Sequence, residues 1–403
     1  MITADTELFS GEGVSVTGIV DALINKAHDS KASDIHIDPT SKDLRVRLRI
    51  DGVLHDLHRF PQSIQSEIIS RIKVLSGLRT DEHQATQDGR FRHDFEGGEC
   101  ADIRVSIIPT HYGENAVLRL LFDSASKNFT LDSLGFEEDD QQKIKAGIHK
   151  SSGMILVTGP TGSGKTTTLY TLMGMLNSKE VSLISIEDPI EYAIDGVEQI
   201  QVNSRSGLTF ANGLRTILRQ DPNIIMVGEI RDSDTASIAI NTALTGHLLL
   251  STLHTNDAAT TLPRLLDMRI ESFLVASTIN VAIGQRLVRK ICDHCKAKVK
   301  VTAALAKSLA GIGLVRPIAE GAFIWKGKGC EKCSDSGFSG RLCVAEVLVV
   351  DDEIRAAIID HSPASTIRSI AVKNGMRTML EDGFEKVRKG MTTPEEILRV
   401  IHE

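Results

Sequence analysis

Gly159-Pro160-Thr161-Gly162-Ser163-Gly164-Lys165-Thr166 fills the pattern G-x-x-x-x-G-K-[ST]. The apolar run Met154-Ile155-Leu156-Val157 stands just before it, and Leu169, Leu172, Met173 and Leu176 recur at helical spacing after it. A strand that ends in glycines and opens a helix aims several backbone N–H groups at one point, which suits a phosphate. Gly159, Gly162 and Gly164 permit backbone conformations and close approaches that a Cβ would block. Lys165 would reach the β- and γ-phosphates, and the Thr166 hydroxyl would ligate Mg²⁺. The segment from Gly159 to Thr167 therefore predicts a site for a nucleoside triphosphate, ATP, with Mg²⁺.

Chemistry on such a nucleotide needs acids to place the metal and to orient or deprotonate water. Ile224-Ile225-Met226-Val227 reads as an apolar strand leading into Gly228-Glu229-Ile230-Arg231-Asp232. Gly228 occupies the place of the usual metal-ordering Asp, which leaves Glu229 as the candidate water activator. Ile184-Ser185-Ile186 leads in the same way into Glu187-Asp188-Pro189-Ile190-Glu191. Acids at strand ends can be mere loop solubilisers, but two sets downstream of a P-loop favour catalysis, with Glu187, Asp188 and Glu191 beside the nucleotide. His247 and His254 bracket one apolar strand. An imidazole near the γ-phosphate could distinguish ATP from ADP, although each histidine also fits an ordinary structural role.

Cys292-Asp293-His294-Cys295 and Cys330-Glu331-Lys332-Cys333 form two C-x-x-C knuckles. Four thiolates enclose Zn²⁺ tetrahedrally, so Cys292, Cys295, Cys330 and Cys333 are candidate ligands of a structural zinc. Cys100 and Cys343 are expected to pack as small apolar residues. This cysteine usage points to a reducing compartment rather than a disulfide framework. A net charge of −7 over 403 residues argues against a protein built to grip a polyanion. The Arg45/Arg47/Arg49 stripe lacks the interleaved aromatics of a single-strand platform. Asp34/His36/Asp38 reads as a polar strand face, only superficially like a metal cluster. Arg90, in Gln87-Asp88-Gly89-Arg90-Phe91, and Arg104 are candidates for phosphate contact across a subunit boundary, with Arg71 a third.

These residues need elements to hold them. Residues 14–122 read as a small α+β domain: a helix around Val16–Ile24, alternating strands, a hairpin turn at Asp51-Gly52, and a helix over 61–78. From Leu131 helices alternate with apolar strands, the pattern of a parallel α/β sheet. Strands are expected at Met154–Thr158, Leu183–Ile186, Ile224–Val227 and His247–Thr252, a cysteine-bearing insertion at about 290–345, and short helices from Asp351 onward. No apolar run approaches the roughly 20 residues that cross a bilayer, and the N-terminus lacks a signal-peptide pattern. The chain reads as a soluble cytoplasmic protein.

From about Val14 to the C-terminus the chain closely resembles the secretion ATPases of type II secretion and type IV pilus assembly. The carriers are Ser33-Asp34-Ile35-His36, Arg49-Ile50-Asp51-Gly52, Gln87 to Arg90, Gly159 to Thr166, Ile186 to Glu191, Leu218-Arg219-Gln220-Asp221-Pro222, Gly228 to Asp232 and Thr245 to Asp257. The resemblance implies a PAS-like domain over 14–122, a linker over 123–130 and a RecA-like P-loop ATPase domain over 131–403 with a zinc-binding insertion and a helical tail. It makes Gly228-Glu229 an atypical Walker B segment, Glu187–Glu191 an acidic box and His247–His254 a histidine box. It also implies a homohexamer that drives an inner-membrane platform protein, peripheral to the membrane through a docking partner and without nucleic acid. The cysteine knuckles resemble those of the assembly and export branch. That branch usually carries further N-terminal domains, which are expected to be absent here. The alternative on the same core is a nucleic-acid translocase.

Overall fold

The computed structural model describes residues 15–122, 129–312 and 314–401. The expected linker at 123–130 falls mostly on residues 123–128, outside those described, as do residues 1–14. The chain divides into two compact units. The first holds the described residues up to 122 with Cys292–Cys295 and Lys328–Ser339, and the second holds the rest.

In the first unit, helix α1 (Val16–Asp29) is capped by Ser15, whose hydroxyl accepts from Gly18 N at 3.2 Å. Strands β1 (Asp34–Pro39), β2 (Asp43–Ile50) and β3 (Val53–Pro61) precede helix α2 (Gln65–Leu75). Strands β4 (Gln87–Asp94), β5 (Cys100–Thr110) and β6 (Gly113–Phe122) follow it. All six join one antiparallel sheet in the order β3-β2-β1-β6-β5-β4. Period-two alternation buries Leu44, Val46 and Leu48 in one core with Ile19, Leu23 and Ile72 from the helices. On the opposite face Arg47 Nε donates to Asp38 at 2.8 Å, and Arg119 Nε donates to Asp34 at 2.9 Å. The aspartate and arginine stripes thus interlock across β1 and its neighbours. Strand β4 has no counterpart in the sequence reading, because Gln87–Asp94 carries a single large apolar residue, Phe91.

The second unit opens with helices α3 (Leu131–Leu134) and α4 (Glu138–Ile148). There follow β7 (Gly153–Thr158), α5 (Lys165–Leu176), β8 (Leu183–Glu187), β9 (Glu198–Gln201), α6 (Phe210–Ile217) and β10 (Ile224–Val227). Next come α7 (Ser233–Leu244), β11 (Leu248–Leu253), α8 (Ala258–Asp267), α9 (Ser272–Thr278) and β12 (Ile279–Ile291). The remaining elements are β13 (Lys296–Lys300), α10 (Ala303–Ala310), β14 (Phe323–Gly327), β15 (Phe338–Val349) and α11 to α14 (Asp352–Ile359, Ala364–Lys373, Met379–Arg388, Pro394–Ile401).

A seven-stranded sheet runs β15-β12-β7-β11-β10-β8-β9, parallel from β12 through β9. Its central strands are buried along their whole length, as a sheet covered on both faces requires. The expected insertion overreached at its end: β15 begins at Phe338, and Cys343, Ala345 and Val347 belong to the core under the sheet. The tail helices are tied to the sheet by buried charge. Glu396 receives Arg289 Nη2 at 2.7 Å and Arg289 N at 3.2 Å. Burial opposes its ionisation, but Arg289 and Arg399 outweigh that and bring its pKa down to about 2. Among the described residues no helix is long and apolar enough to cross a membrane.

Candidate active site

Register decides where the chemistry sits. Parallel pairing sets Leu253 beside Thr158, Ser251 beside Val227, and Val227 beside Ile186. The C-terminal ends of β7, β11, β10 and β8 therefore form one edge, the edge at which open parallel sheets bind ligands. The glycine loop, His254 and Gly228-Glu229 follow those ends, and Glu187 is the last residue of β8.

Gly159, Gly162 and Gly164 take φ values of 147°, 80° and 89°. A Cβ on Gly159 would lie 2.4 Å from the Gln285 carbonyl oxygen, so no other residue fits there. Gln285, on β12, braces the loop: its Nε2 donates to Ser163 O at 2.8 Å, and its Oε1 accepts from Thr168 Oγ1 at 2.9 Å. Lys165 Nζ turns back onto the Gly159 and Pro160 carbonyls at 2.8 and 3.0 Å. Burial lowers the Lys165 pKa, against the attraction of Glu229. Ser163 Oγ is buried without a hydrogen-bond partner. An orphaned hydroxyl and an ammonium held only by its own loop fit an anion such as a polyphosphate. The Thr166 side chain is exposed at the first turn of α5.

Glu229 is held at both oxygens. Arg231 Nη2 lies 2.5 Å from Oε1, and His254 Nε2 lies 3.0 Å from Oε2. Burial works against its ionisation, but these two partners win and keep the carboxyl below its ordinary range. The strand end beneath it is pinned, since Thr252 Oγ1 donates to Gly228 O at 2.7 Å and Gly228 N donates to Ile186 O at 2.8 Å. A Cβ on Gly228 would meet the Ile186 carbonyl at 3.3 Å, too close for an easy aspartate.

Glu187 is engaged inside the protein. It accepts from Tyr170 Oη, from Ser185 Oγ at 2.6 Å and from Gln199 Nε2 at 3.1 Å. With both oxygens occupied and the residue buried, it anchors α5 to β8 from within. Burial, then the Glu187 charge, raises the Tyr170 pKa, so the phenol stays a donor. Glu191 lies in the same loop, its N–H donating to Tyr170 Oη at 3.2 Å, while Asp188 is exposed.

The two histidines separate. His254 joins the site, but His247 precedes β11 and its carbonyl accepts from Gly153 N at 3.1 Å, at the far end of the strand. At about 3.3 Å per residue, the six residues of β11 hold it roughly 20 Å from the edge that carries the glycine loop. Its Nδ1 lies 3.1 Å from Thr242 O. Strand polarity, invisible in a list of motif residues, makes the distinction. Gln285, Tyr170 and Gln199 escaped the sequence reading because nothing local marks them. Arg231 stands in the Gly228–Asp232 motif with no role evident from sequence, though its spacing of two from Glu229 is the available signal.

Outside this edge, the Sγ atoms of Cys292, Cys295, Cys330 and Cys333 all lie within 4.8 Å of one another. Cys292–Cys330, Cys295–Cys333 and Cys330–Cys333 are 3.9, 3.8 and 3.6 Å apart. Four sulfurs about 2.3 Å from a tetrahedral centre would be about 3.8 Å apart, so the set fits a thiolate-bound metal. In the antiparallel sheet Arg90 is the direct partner of Arg104, and Arg104 of Arg119. Arg119, at the end of that row, is already held by Asp34 at 2.9 Å.

A family model described as "Type II/IV secretion system protein" matches residues 11–399. The chain belongs to that family. It is 46% identical over 379 residues to the type IV pilus assembly ATPase PilB of Thermus thermophilus, covering 94% of this chain and 42% of that protein. With the type II secretion system protein E of Pectobacterium carotovorum subsp. carotovorum it shares 42% identity over 401 residues, 99% of this chain and 78% of that one. The X-ray structure of the Legionella pneumophila ATPase DotB matches the fold with a TM-score of 0.71 at 21% identity, over 97% of each chain. The pilus retraction motor PilT, crystallised with bound ADP, matches with a TM-score of 0.62 at 26% identity, over 94% of this chain and 96% of that one. The mixed α/β fold expected from the sequence is thus the fold of secretion and pilus ATPases. These matches give the nucleic-acid translocase alternative no support.

Proposed function

We propose that this chain is the motor portion of a hexameric, cytoplasmic, Mg²⁺-dependent ATPase that drives an inner-membrane platform protein in type II secretion or type IV pilus assembly. The observation that carries the reading is the meeting of the glycine loop, Glu229 and His254 at one sheet edge in a chain of this family. In it, residues 14–122 form the PAS-like domain and 131–403 the RecA-like ATPase domain, with residues 123–130 linking them. Membrane association is peripheral, through the platform and a docking protein.

ATP would lie with its phosphates over the N–H groups of Gly162 to Thr167. Lys165 would exchange the Gly159 and Pro160 carbonyls for the β- and γ-phosphates, and Ser163 Oγ would gain a partner. Mg²⁺, held through Thr166, would neutralise phosphate charge. Glu229 would orient and deprotonate the attacking water once Arg231 or His254 yields one oxygen. His254 would then feel the γ-phosphate through Glu229. Glu187, expected from the sequence to be catalytic, would in this reading hold the P-loop helix through Tyr170, with Asp188 and Glu191 in its loop as the remaining acids.

Lys165→Ala is expected to weaken ATP binding, and Glu229→Gln to retain binding while turnover falls roughly 10²-fold or more. Steady-state hydrolysis with parallel nucleotide titrations measures both, and wild-type turnover in Glu229→Gln would move the base elsewhere. One zinc per chain is expected at Cys292, Cys295, Cys330 and Cys333, serving to hold the insertion. Elemental analysis of chelator-free protein checks this. Absence of zinc, or unchanged protease resistance in Cys330→Ser, would contradict it.

Arg90 and Arg104 are the residues proposed to reach a neighbouring subunit's γ-phosphate. Charge supplied in trans is a recurrent device of nucleotide motors, and Arg90 and Arg104 stand side by side on paired strands. Mixing Lys165→Ala chains with Arg90→Ala chains should restore part of the lost activity, because some interfaces then contain both intact halves. Mixed rings as inactive as either parent, despite demonstrated co-assembly, would rule the trans role out.

A further inference from the structure

Two helices of the second unit begin at one buried carboxylate. Glu346, on β15, is 2% exposed. Its Oε1 accepts from Ala258 N at 2.9 Å and its Oε2 from Met379 N at 3.3 Å. Ala258 is the first residue of α8, and Met379 is the first residue of α13. Each oxygen thus meets an N–H group that has no partner inside its own helix, at the end of the helix that favours negative charge. Gly284, on β12, makes the room: a Cβ there would lie 2.8 Å from Ala258 N and 3.1 Å from Glu346 Cγ. Burial raises the pKa of the carboxyl in spite of its two donors. An apolar side chain could fill this space without that cost; what the acid adds is the join between two helix starts.

The join reaches the candidate site. Ala258 stands four positions after His254, whose Nε2 lies 3.0 Å from Glu229. The connector between them is held on the sheet side by Thr255 N, which donates to Thr158 Oγ1 at 3.0 Å. On the helix side Asp257 Oδ1 caps α8, accepting from Thr260 N at 2.8 Å, and Asp257 Oδ2 accepts from Arg368 Nη2 on α12. Glu346 and Asp257 therefore fasten this connector to two different tail helices.

We propose that Glu346 is a positioning residue for hydrolysis: by joining the starts of α8 and α13 it holds the connector that aims His254 at Glu229. The tail is then a working part of the active site, with Asp257 and Arg368 as its second tie. A displacement of about 1 Å in a catalytic group can cost roughly 10²-fold in rate, and a connector this short passes a shift at the start of α8 on to His254. ATP would be gripped by the glycine loop between β7 and α5, so loss of the tie reduces turnover and leaves nucleotide affinity alone. The inference rests on the proposed role of Glu229 and His254 in hydrolysis.

Steady-state hydrolysis by the full chain, with parallel ATP titrations, compares wild type, Glu346→Ala, Glu346→Gln, Asp257→Asn, His254→Ala and the Glu346→Ala/His254→Ala double variant. Glu346→Ala should lower kcat roughly tenfold or more with KM and ATP affinity unchanged. Glu346→Gln, whose amide oxygen still accepts one of the two N–H groups, should recover part of that loss. Asp257→Asn keeps the helix cap but weakens the tie to Arg368, and should lower kcat by a smaller factor. It leaves the buried carboxylate in place, so the same comparisons are made with it if Glu346→Ala fails to fold. The deciding arm is the double variant: with His254 gone, removing Glu346 should cost no further turnover. A multiplicative loss there would overturn the proposal, because Glu346 would then act otherwise than through His254. So would unchanged kcat in both Glu346→Ala and Asp257→Asn, or a loss confined to nucleotide affinity. Glu229→Gln is run alongside. Wild-type turnover in it would overturn the hydrolysis reading and this proposal together, whereas the other contrary results, obtained with Glu229→Gln inactive, count against the positioning role alone.

Discussion

Everything chemical in this protein depends on a parallel sheet having two unlike edges. Strands β7, β11, β10 and β8 run the same way in close register, so whatever follows each strand emerges on one side. Four separate stretches, the glycine loop, Glu187, Glu229 and His254, become neighbours through that polarity alone. The rule also excludes: His247 belongs to the same motif block as His254, yet the length of one strand removes it from the edge that carries the glycine loop.

Side chains far apart in sequence keep that edge rigid. Thr158, the last residue of β7, donates to Leu253 O at 3.0 Å and receives Thr255 N at 3.0 Å, joining the start of the glycine loop to the segment after β11. Gln285 grips the loop from β12, and Tyr170 with Glu187 grips the following helix from β8. Buried polar groups satisfied on all sides cost little and specify a single arrangement. The groups proposed to react are held differently: Lys165 rests on carbonyls of its own loop, and Glu229 on an exposed arginine and an exposed histidine. Such contacts exchange easily for a phosphate or a water.

The sequence made the P-loop, Glu229, His254 and the cysteine knuckles legible because each needs particular residue types at fixed short spacings. Strands β7, β8, β10 and β11 were legible as short apolar runs bounded by polar turns. Strand β12 was not, because Ile279–Ile291 mixes Asn280, Gln285, Arg286 and Arg289 into its apolar pattern; Gln285 serves the glycine loop, Arg289 the tail, and Asn280 the turn before β7. Strand β15 was hidden inside the cysteine insertion for a similar reason. The buried hydrogen bonds of Glu187 were not legible, because an acid at a strand end looks the same in sequence whether it faces a phosphate or a buried tyrosine. Its partners, Tyr170 and Gln199, come from other elements and are fixed by packing.

Backbone hydrogen exchange with and without a slowly hydrolysed ATP analogue tests the central claim, that one sheet edge is the nucleotide site. Protection is expected in Gly159–Thr168, at Gly228–Ile230 and over Thr252–Thr255, with the segment around His247 unchanged. Protection around His247 and at the starts of the strands, with none in the glycine loop, would contradict it.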